Sequence, residues 1–446
     1  MKQKQEWGSR KASISYRSPT DGSSCPDQLD VSSPFTSGIF QRGVSGMDFH
    51  TGSLYWRTTV EEGLPPFRQP VPAAYYDIAI VGGGISGALC AYILSQEDLQ
   101  VALIEEKEIG HGSTSANTGL LQYSNDIMLH ELMEQIGNDP AVRFYKACEA
   151  AIGQLEKVTA SLPLDAQFRR RSSLYYASTE DDVPRLRKEW QALRQYGFSA
   201  EYWTPEEVES AFPFSKAGAI ITHGDAEVNP LRLCRGAVRF AEKQGVHIYE
   251  NTRVLEIHST KEEVRLETTN GEIRAGKVVF TTGYTTSPCL DHGKEKLNRT
   301  FAMATKPMED VSTWKERMMI WETERPYLYA RLTEDDRIII GGLDEEISSL
   351  LHNRSVLHSK GEQLMRKLED LFPEMPIEID HIWAAMFGES TDNLPMIGRH
   401  PKFPRLLYLI GLGGNGTVYS MLGAKLIRDL LAGIPNDLTD IVRLDR

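Results

Sequence analysis

Three glycines mark the first chemistry open to this chain. Gly82, Gly84 and Gly87 follow the spacing G-x-G-x-x-G. The first permits a tight turn. The second lets the backbone approach a pyrophosphate that any Cβ would obstruct, and the third lets a helix pack on a sheet. The N-terminus of that helix offers free N–H groups and a positive dipole end to the phosphates. Further on, Glu105 can accept hydrogen bonds from ribose hydroxyls, while its charge repels a 2′-phosphate. Together these residues suit FAD or NAD better than NADP.

The elements needed to position them can be read around them. Asp77 to Val81 is rich in Ile and Val, as a buried parallel strand requires. Ala88 to Leu94 reads as a helix, and Val101 to Ile104 as a second strand ending on Glu105. A glycine motif alone is weak. With strand, helix, second strand and acid in order, it favours a nucleotide site over an ordinary glycine-rich turn.

At 446 residues the chain should hold two domains. A charged fraction of 25% and a hydrophobic fraction of 41% are those of a globular protein. The net charge of −13 argues against nucleic acid and anionic membrane surfaces as partners. Cys25, Cys90, Cys148, Cys234 and Cys289 form no C-x-x-C pair, which argues against a disulfide framework, a zinc site or a dithiol centre. No apolar run reaches the roughly 18 residues of a membrane-spanning helix. No secretory apolar segment follows the basic start. These features predict a cytoplasmic protein with no metal.

Residues 1–46 are polar and aperiodic and read as a disordered or loosely attached tail. Met47 is a candidate natural start. Residues 47–74 read as an arm and linker: Tyr55 and Trp56 suit an arm packed over the main domain or a surface patch, the first being favoured, and Pro65, Pro66, Pro70 and Pro72 extend the chain toward the first strand. Gly110 to Leu121 is small and rich in hydroxyls, which suits either a loop along a dinucleotide or an ordinary polar loop. Residues 126–160 are amphipathic and helical. Arg169, Arg170 and Arg171 begin a strand, and could steer an anion or form a solvated edge. Thr204-Pro205-Glu206-Glu207 is a capping box with Pro at the first helical position. Asn270-Gly271 marks a hairpin. Val278 to Gly283 reads as a strand returning beside the first, which would bring Thr282 and Gly283 near a cofactor. Leu406 to Ile410 leads into Gly411-Leu412-Gly413-Gly414-Asn415-Gly416-Thr417 and a closing helix; this second strand–turn–helix could be a second nucleotide site, but with no βαβ continuation or acidic residue after it, it reads better as completing the first.

The pattern thus predicts an α/β, mixed α+β protein. A Rossmann-like domain for FAD or NAD (75–165, 215–283 and 380–446) interleaves with a mostly antiparallel β-sheet substrate domain (166–214 and 284–379).

From Tyr75 onward the chain resembles the FAD-dependent D-amino-acid oxidase superfamily, and within it glycine, sarcosine and gamma-glutamylputrescine oxidases. The likeness rests on Gly82 to Gly87 with Glu105, Ser113 to Leu121, Gly224 to Pro230, Thr252 to Val254, Thr282-Gly283, Asp392 to Gly398 and Gly411 to Thr417. It implies that Ile85 and Ser86 meet the pyrophosphate and that Glu105 and Glu106 lie at the ribose. It places Ser113, Thr114, Asn117, Thr118, Gly119 and Leu120 along the phosphates and flavin ring, and Val254 at the adenine. The closing turn, Leu412 through Val418, would offer N–H groups to the flavin's pyrimidine end.

The departures from the family pattern also matter. Relatives acting on small amino acids grip the carboxylate with a bidentate arginine. In that register this chain has Phe387, and the other basic positions fall on Gly414 and Val418. Either the substrate is an amine with no nearby carboxylate, or another residue anchors it. Arg331 is the best such candidate, and Tyr327 matches a substrate-contacting position. Ala385 and Ala116 occupy positions of covalent flavin attachment, so the FAD should be non-covalent. Ile339 occupies the position of an oxygen-activating lysine, leaving oxidase and dehydrogenase both open.

The resemblance implies an enzyme that oxidises a C–N bond of a small-molecule amine or amino acid. Hydride would pass to flavin N5, the imine would be hydrolysed, and oxygen or another acceptor would take the electrons. Two alternatives stand beside it. One is C–O oxidation as in glycerol-3-phosphate dehydrogenases, with Arg169 to Arg171 or Arg331 meeting a phosphate. The other is a non-catalytic flavin-binding protein.

Overall fold

The computed structural model describes residues 37–38, 49–60, 66–67, 75–284, 295–346, 349–351 and 353–446. Most of the expected tail, with Met47, Pro65, Pro70 and Pro72, lies outside the described residues.

Two sheets carry the described chain. The first runs, in spatial order, β1 (Ser37–Gly38), β10 (Val254–Ser259), β11 (Val264–Thr268), β12 (Gly271–Phe280), β3 (Tyr76–Val81), β4 (Val101–Ile104) and β9 (His247–Tyr249). On its other side β12 also pairs with β19 (Leu406–Ile410), which pairs with β18 (Met396–Arg399). Its centre is parallel: Ile80 lies beside Val279 and Leu103, and Val279 beside Leu407. These strands are apolar on both faces because helices cover them. Three of the helices are α1 (Ile85–Leu94), α6 (Pro230–Lys243) and α8 (Gly416–Ala432).

The second sheet runs β2 (His50–Gly52), β17 (Ile379–Ser390), β13 (Glu295–Thr305), β16 (Ile338–Glu345), β15 (Tyr329–Leu332), β14 (Met319–Glu322), β6 (Arg169–Tyr176), β8 (Ala219–Glu227) and β5 (Leu120–Leu121). Strand β7 (Ala200–Trp203) also pairs with β8. All its pairs are antiparallel except β14 with β6. The helix α7 (Arg354–Leu371) packs its apolar side on this sheet. The expected architecture, a nucleotide-type sheet with a mostly antiparallel partner, is the one found.

Local signals are largely realised. The amphipathic stretch forms α2 (Leu129–Ile136) and α3 (Asn138–Ser161), split at Gly137. The helix α4 (Val183–Gln195) follows, and then α5 (Pro205–Ala211). At the head of α5 the Thr204 side chain accepts from the Glu207 N–H, and the Glu207 carboxylate accepts from the Thr204 N–H. The arm packs as expected: β2 extends the second sheet, and Tyr55 and Trp56 are buried with Trp383, Ala302 and Ile339.

Strand placement corrects one expectation. β8 and β17 fall in segments read as part of the FAD-binding domain, yet both pair into the second sheet. Their alternation shows that they are strands, but not which edge they join, because the partner lies far along the chain.

No helix among the described residues is long and apolar enough to cross a membrane.

Candidate active site

The glycine turn closes on the sheet by backbone contact. Gly82 has φ +110°, and a Cβ there would lie 2.5 Å from the carbonyl oxygen of Thr281. A Cβ on Gly87 would lie 1.8 Å from the Gly82 oxygen. Thr281 supports the turn from below: its hydroxyl donates to the Val81 and Gly82 oxygens at 3.0 and 2.9 Å. Sequence reasoning pointed to Thr282 and Gly283, which follow at the same strand end. The hydroxyl doing this work is one residue earlier.

Two helices start side by side above the turn. Ser86 in α1 and Ser420 in α8 share a hydroxyl hydrogen bond of 2.8 Å. Neither helix has a side-chain N-cap. Asn415, before α8, turns its amide away to the Gln122 oxygen and the Asn125 side chain. Thr417 is 2% exposed, and its hydroxyl has no partner. Adjacent helix heads with a buried, unanswered hydroxyl fit an anionic dinucleotide. FAD bound there would use Gly82 to Gly87 at its pyrophosphate and Leu412 to Thr417 at its ring.

Glu105 lies at the end of β4, as expected. Its carboxylate accepts from the N–H groups of Gly83 (2.6 Å) and Lys107 (2.8 Å). Burial raises its pKa, and those two bonds oppose the rise. Each oxygen keeps a lone pair that a ribose hydroxyl could meet. The Glu105 carbonyl accepts from Thr252 N–H at 2.8 Å, which brings Val254 near, while the Glu106 carboxylate lies 3.9 Å from Arg253.

The hydroxyl-rich loop is clamped on three successive carbonyls. Trp383 donates from Nε1 to Ala116 at 2.9 Å, Trp56 from Nε1 to Asn117, and Arg331 from Nε to Thr118 at 2.8 Å. Within the loop, the Asn117 side chain accepts from the Gly119 N–H. Thr114 reaches the head of α1, where its hydroxyl accepts from Ile85 N–H at 2.9 Å. Ser113 begins this turn, and Leu120 pairs with Glu227.

Arg331 needs a correction. It is 2% exposed, and beyond Thr118 its guanidinium donates to the Val228 and Leu332 oxygens and faces Glu227 at 3.4 Å. With its donors spent inside the protein, it braces the loop and has no fork left for a substrate anion. Arg169 pairs with Glu334, Arg170 with Glu156 and Arg171 with Glu227, so these three are engaged as well.

Tyr327 does face the closing turn. Its hydroxyl donates to Asp126 at 2.8 Å, and the other Asp126 oxygen accepts from Gly414 N–H at 3.2 Å. Burial first, then the Asp126 charge, pushes the Tyr327 phenol well above its ordinary pKa. Gly413 is held in turn, its N–H donating to the Gly388 oxygen at 3.0 Å. Asp126 was not foreseen, since it sits in a polar loop without a motif. Away from this site, Glu256, His258 and Glu267 cluster on the β10–β11 hairpin, with His258 Nε2 at 3.5 Å from the Glu256 carboxylate and 3.3 Å from that of Glu267.

The chain is similar over most of its length to known proteins. Over 381 residues it is 25% identical to glycine oxidase of Bacillus subtilis, covering 83% of this chain and 98% of that one. Gamma-glutamylputrescine oxidoreductase of Escherichia coli is 24% identical over 399 residues, covering 87% and 90%. The crystal structure of glycine oxidase from Geobacillus kaustophilus superposes with a TM-score of 0.73 at 23% identity, covering 84% and 99%. Residues 77–430 match the family described as FAD dependent oxidoreductase. That span runs from the strand below the glycine turn to the end of the helix that stands beside α1. The chain belongs to that family of FAD-dependent oxidoreductases.

Proposed function

We propose that this oxidoreductase acts on a C–N bond of an amine or amino-acid-like small molecule. FAD, when bound, supplies the two-electron acceptor at its N5. The substrate binds as the neutral amine and gives up a hydride from its α-carbon and a proton from nitrogen. The C–N bond becomes an imine, and water hydrolyses it to a carbonyl compound and the released amine. The electrons then pass to oxygen or another acceptor.

Asp126 carries this reading. It places a carboxylate at the closing turn, held by Tyr327 and the Gly414 N–H. A carboxylate there attracts the ammonium form from solution, which loses a proton to solvent and stays as the neutral amine, and it repels a phosphate or a hydroxy acid. The arginines that could have met a phosphate are spent in ion pairs, which leaves C–O oxidation unsupported. The chain's part in the chemistry is orientation and exclusion of water. A cytoplasmic setting suits Cys90, Cys148 and Cys234, all buried and unpaired.

Anaerobic titration of the yellow protein tests the reading. Amines or amino acids should bleach the visible flavin band, and hydroxy acids and polyol phosphates should not. Bleaching by the second group alone would overturn it. Readmitting air then separates oxidase from dehydrogenase by whether the colour returns.

A second prediction concerns attachment. Ala116 and Ala385 are buried together and offer no nucleophile to the flavin. Acid precipitation should leave all the yellow colour in the supernatant, and colour retained by the washed pellet would contradict this.

A further inference from the structure

We infer that the substrate carries a second positive charge, an ammonium or guanidinium away from the reacting nitrogen, and that Asp344, Glu389 and Asn298 form its subsite. This deepens the C–N reading above and rests on it.

Strand register sets the geometry. In the β13–β17 pair, Asn298 stands opposite Phe387, and Lys296 opposite Glu389. Side chains alternate faces along a strand, so Asn298, Thr300, Phe387 and Glu389 share one face of the second sheet. The Asn298 amide donates to Glu389 at 2.8 Å. Asp344 lies on the neighbouring β16, one residue before Glu345, which stands opposite Arg299. Glu389 therefore shares a face with Phe387, the position that holds a carboxylate-binding arginine in the pattern of amino-acid-oxidising relatives, while Asp344 lies across β13, on β16. Asp126 acts electrostatically on both of them.

Asn298 is 7% exposed, and its Oδ1 has no partner. The buried Oδ1 of Asp344 has none either. Buried acceptors left unmatched are costly, and that of Asn298 lies on the face that also carries Glu389. These two oxygens lack a buried donor, since the Lys296 ammonium, opposite Glu389 on the same face, is exposed. An ammonium offers three N–H donors and no acceptor, whereas a carboxylate or phosphate would add further acceptors.

Charge on the remaining elements agrees. Tyr327 and Tyr329 pack at 5.6 Å between ring centroids and bring no cation. Arg325 is exposed, lies over the Tyr327 ring at 4.5 Å and donates to the Asp126 carbonyl. Lys296 is exposed. Without a ligand, burial pushes Asp344 up to about 6 and Glu389 to about 7, and in both cases Asp126 adds to the rise and Arg325 opposes it. Both pKa values lie above their ordinary ones, so the stability these groups contribute is present at acid pH and is lost as pH rises through about 6 and about 7. A bound cation favours the ionised forms. Its binding should release protons and should tighten as pH rises through that window.

The test uses the oxidised holoenzyme and a diamine whose amine-bearing carbons carry no hydrogen, so that it cannot be oxidised. Calorimetry compares it with the matched monoamine. The diamine should bind at least about tenfold tighter at pH 8, with an advantage that shrinks toward pH 5 and proton release in buffers of different ionisation heat. Glu389→Gln and Asp344→Asn should each pull the diamine-to-monoamine ratio toward one. The wild-type comparison and its pH profile need no variant, so a misfolded variant does not spoil the test. Equal affinity for the two amines, a ratio indifferent to pH, or tighter binding of an α-amino acid would overturn the subsite. If ordinary amines bleach the flavin while the diamine shows no preference, the subsite falls and C–N oxidation stands. If only hydroxy compounds bleach it, both fall.

Discussion

Arg331→Met should lower the free energy of unfolding by about 3–5 kcal/mol, the usual cost of stranding the partner of a buried ion pair. Glu227 is 1% exposed and has Arg331 at 3.4 Å and Arg171 at 2.9 Å. Removing the guanidinium leaves that carboxylate half-compensated and takes donors from the carbonyls of Thr118, Val228 and Leu332. Methionine fills much of the volume, so the loss is mainly polar. Lysine should rescue little, because one ammonium cannot replace a planar fork serving several acceptors. A lower midpoint in urea, with earlier release of flavin as the Thr118 clamp loosens, is the expected result. An anchor for a substrate anion would behave differently, with an unchanged midpoint and a raised KM. That second pattern would restore the role first expected of Arg331.

What could be read in advance depended on how local the chemistry was. The turn from Gly82 to Gly87 needs only its own strand and helix, and Glu105 ends the next strand, so spacing alone revealed them. The capping box at Thr204 was legible for the same reason. Arg331 was not. Its role is set by Thr118 and Val228, far away in the chain, and one arginine on a strand carries no local mark of being internal. Asp126 was hidden in the same way, since Tyr327 and Gly414 give it meaning only after folding. The pair Asn298 and Glu389 needed the β13–β17 register. Strand edges followed this rule too: β8 and β17 were recognisable as strands, but their sheet was decided by partners that periodicity does not name. The arm was an intermediate case. Two adjacent aromatics at Tyr55 and Trp56 suggested packing, but not that the Trp56 indole would hold the Asn117 carbonyl.

Gly87→Ala should yield a folded but colourless protein. The added Cβ would lie 1.8 Å from the Gly82 carbonyl oxygen and 2.9 Å from the Thr281 hydroxyl. That carbonyl is itself held by Thr281 at 2.9 Å, so the turn cannot yield without losing this bond. Either α1 moves off the sheet or the turn opens, and in both cases the N–H groups at the head of α1 leave the positions that would face the phosphates of bound FAD. Overpacking of this kind costs about 1–3 kcal/mol in stability. FAD affinity should fall further, by about a hundredfold or more, or roughly 2.7 kcal/mol. Flavin content after gel filtration reads the effect, and circular dichroism shows whether the chain has folded. Gly153→Ala in α3 is the matched control: its Cβ would meet only the Arg170 guanidinium, at 3.7 Å. There the same methyl should leave the flavin in place and raise stability by about 0.4–1 kcal/mol through the unfolded chain. Both glycines are helical, so the opposite outcomes would come from the distance to the Gly82 oxygen. Full flavin content in Gly87→Ala would mean that the turn is not the dinucleotide cradle.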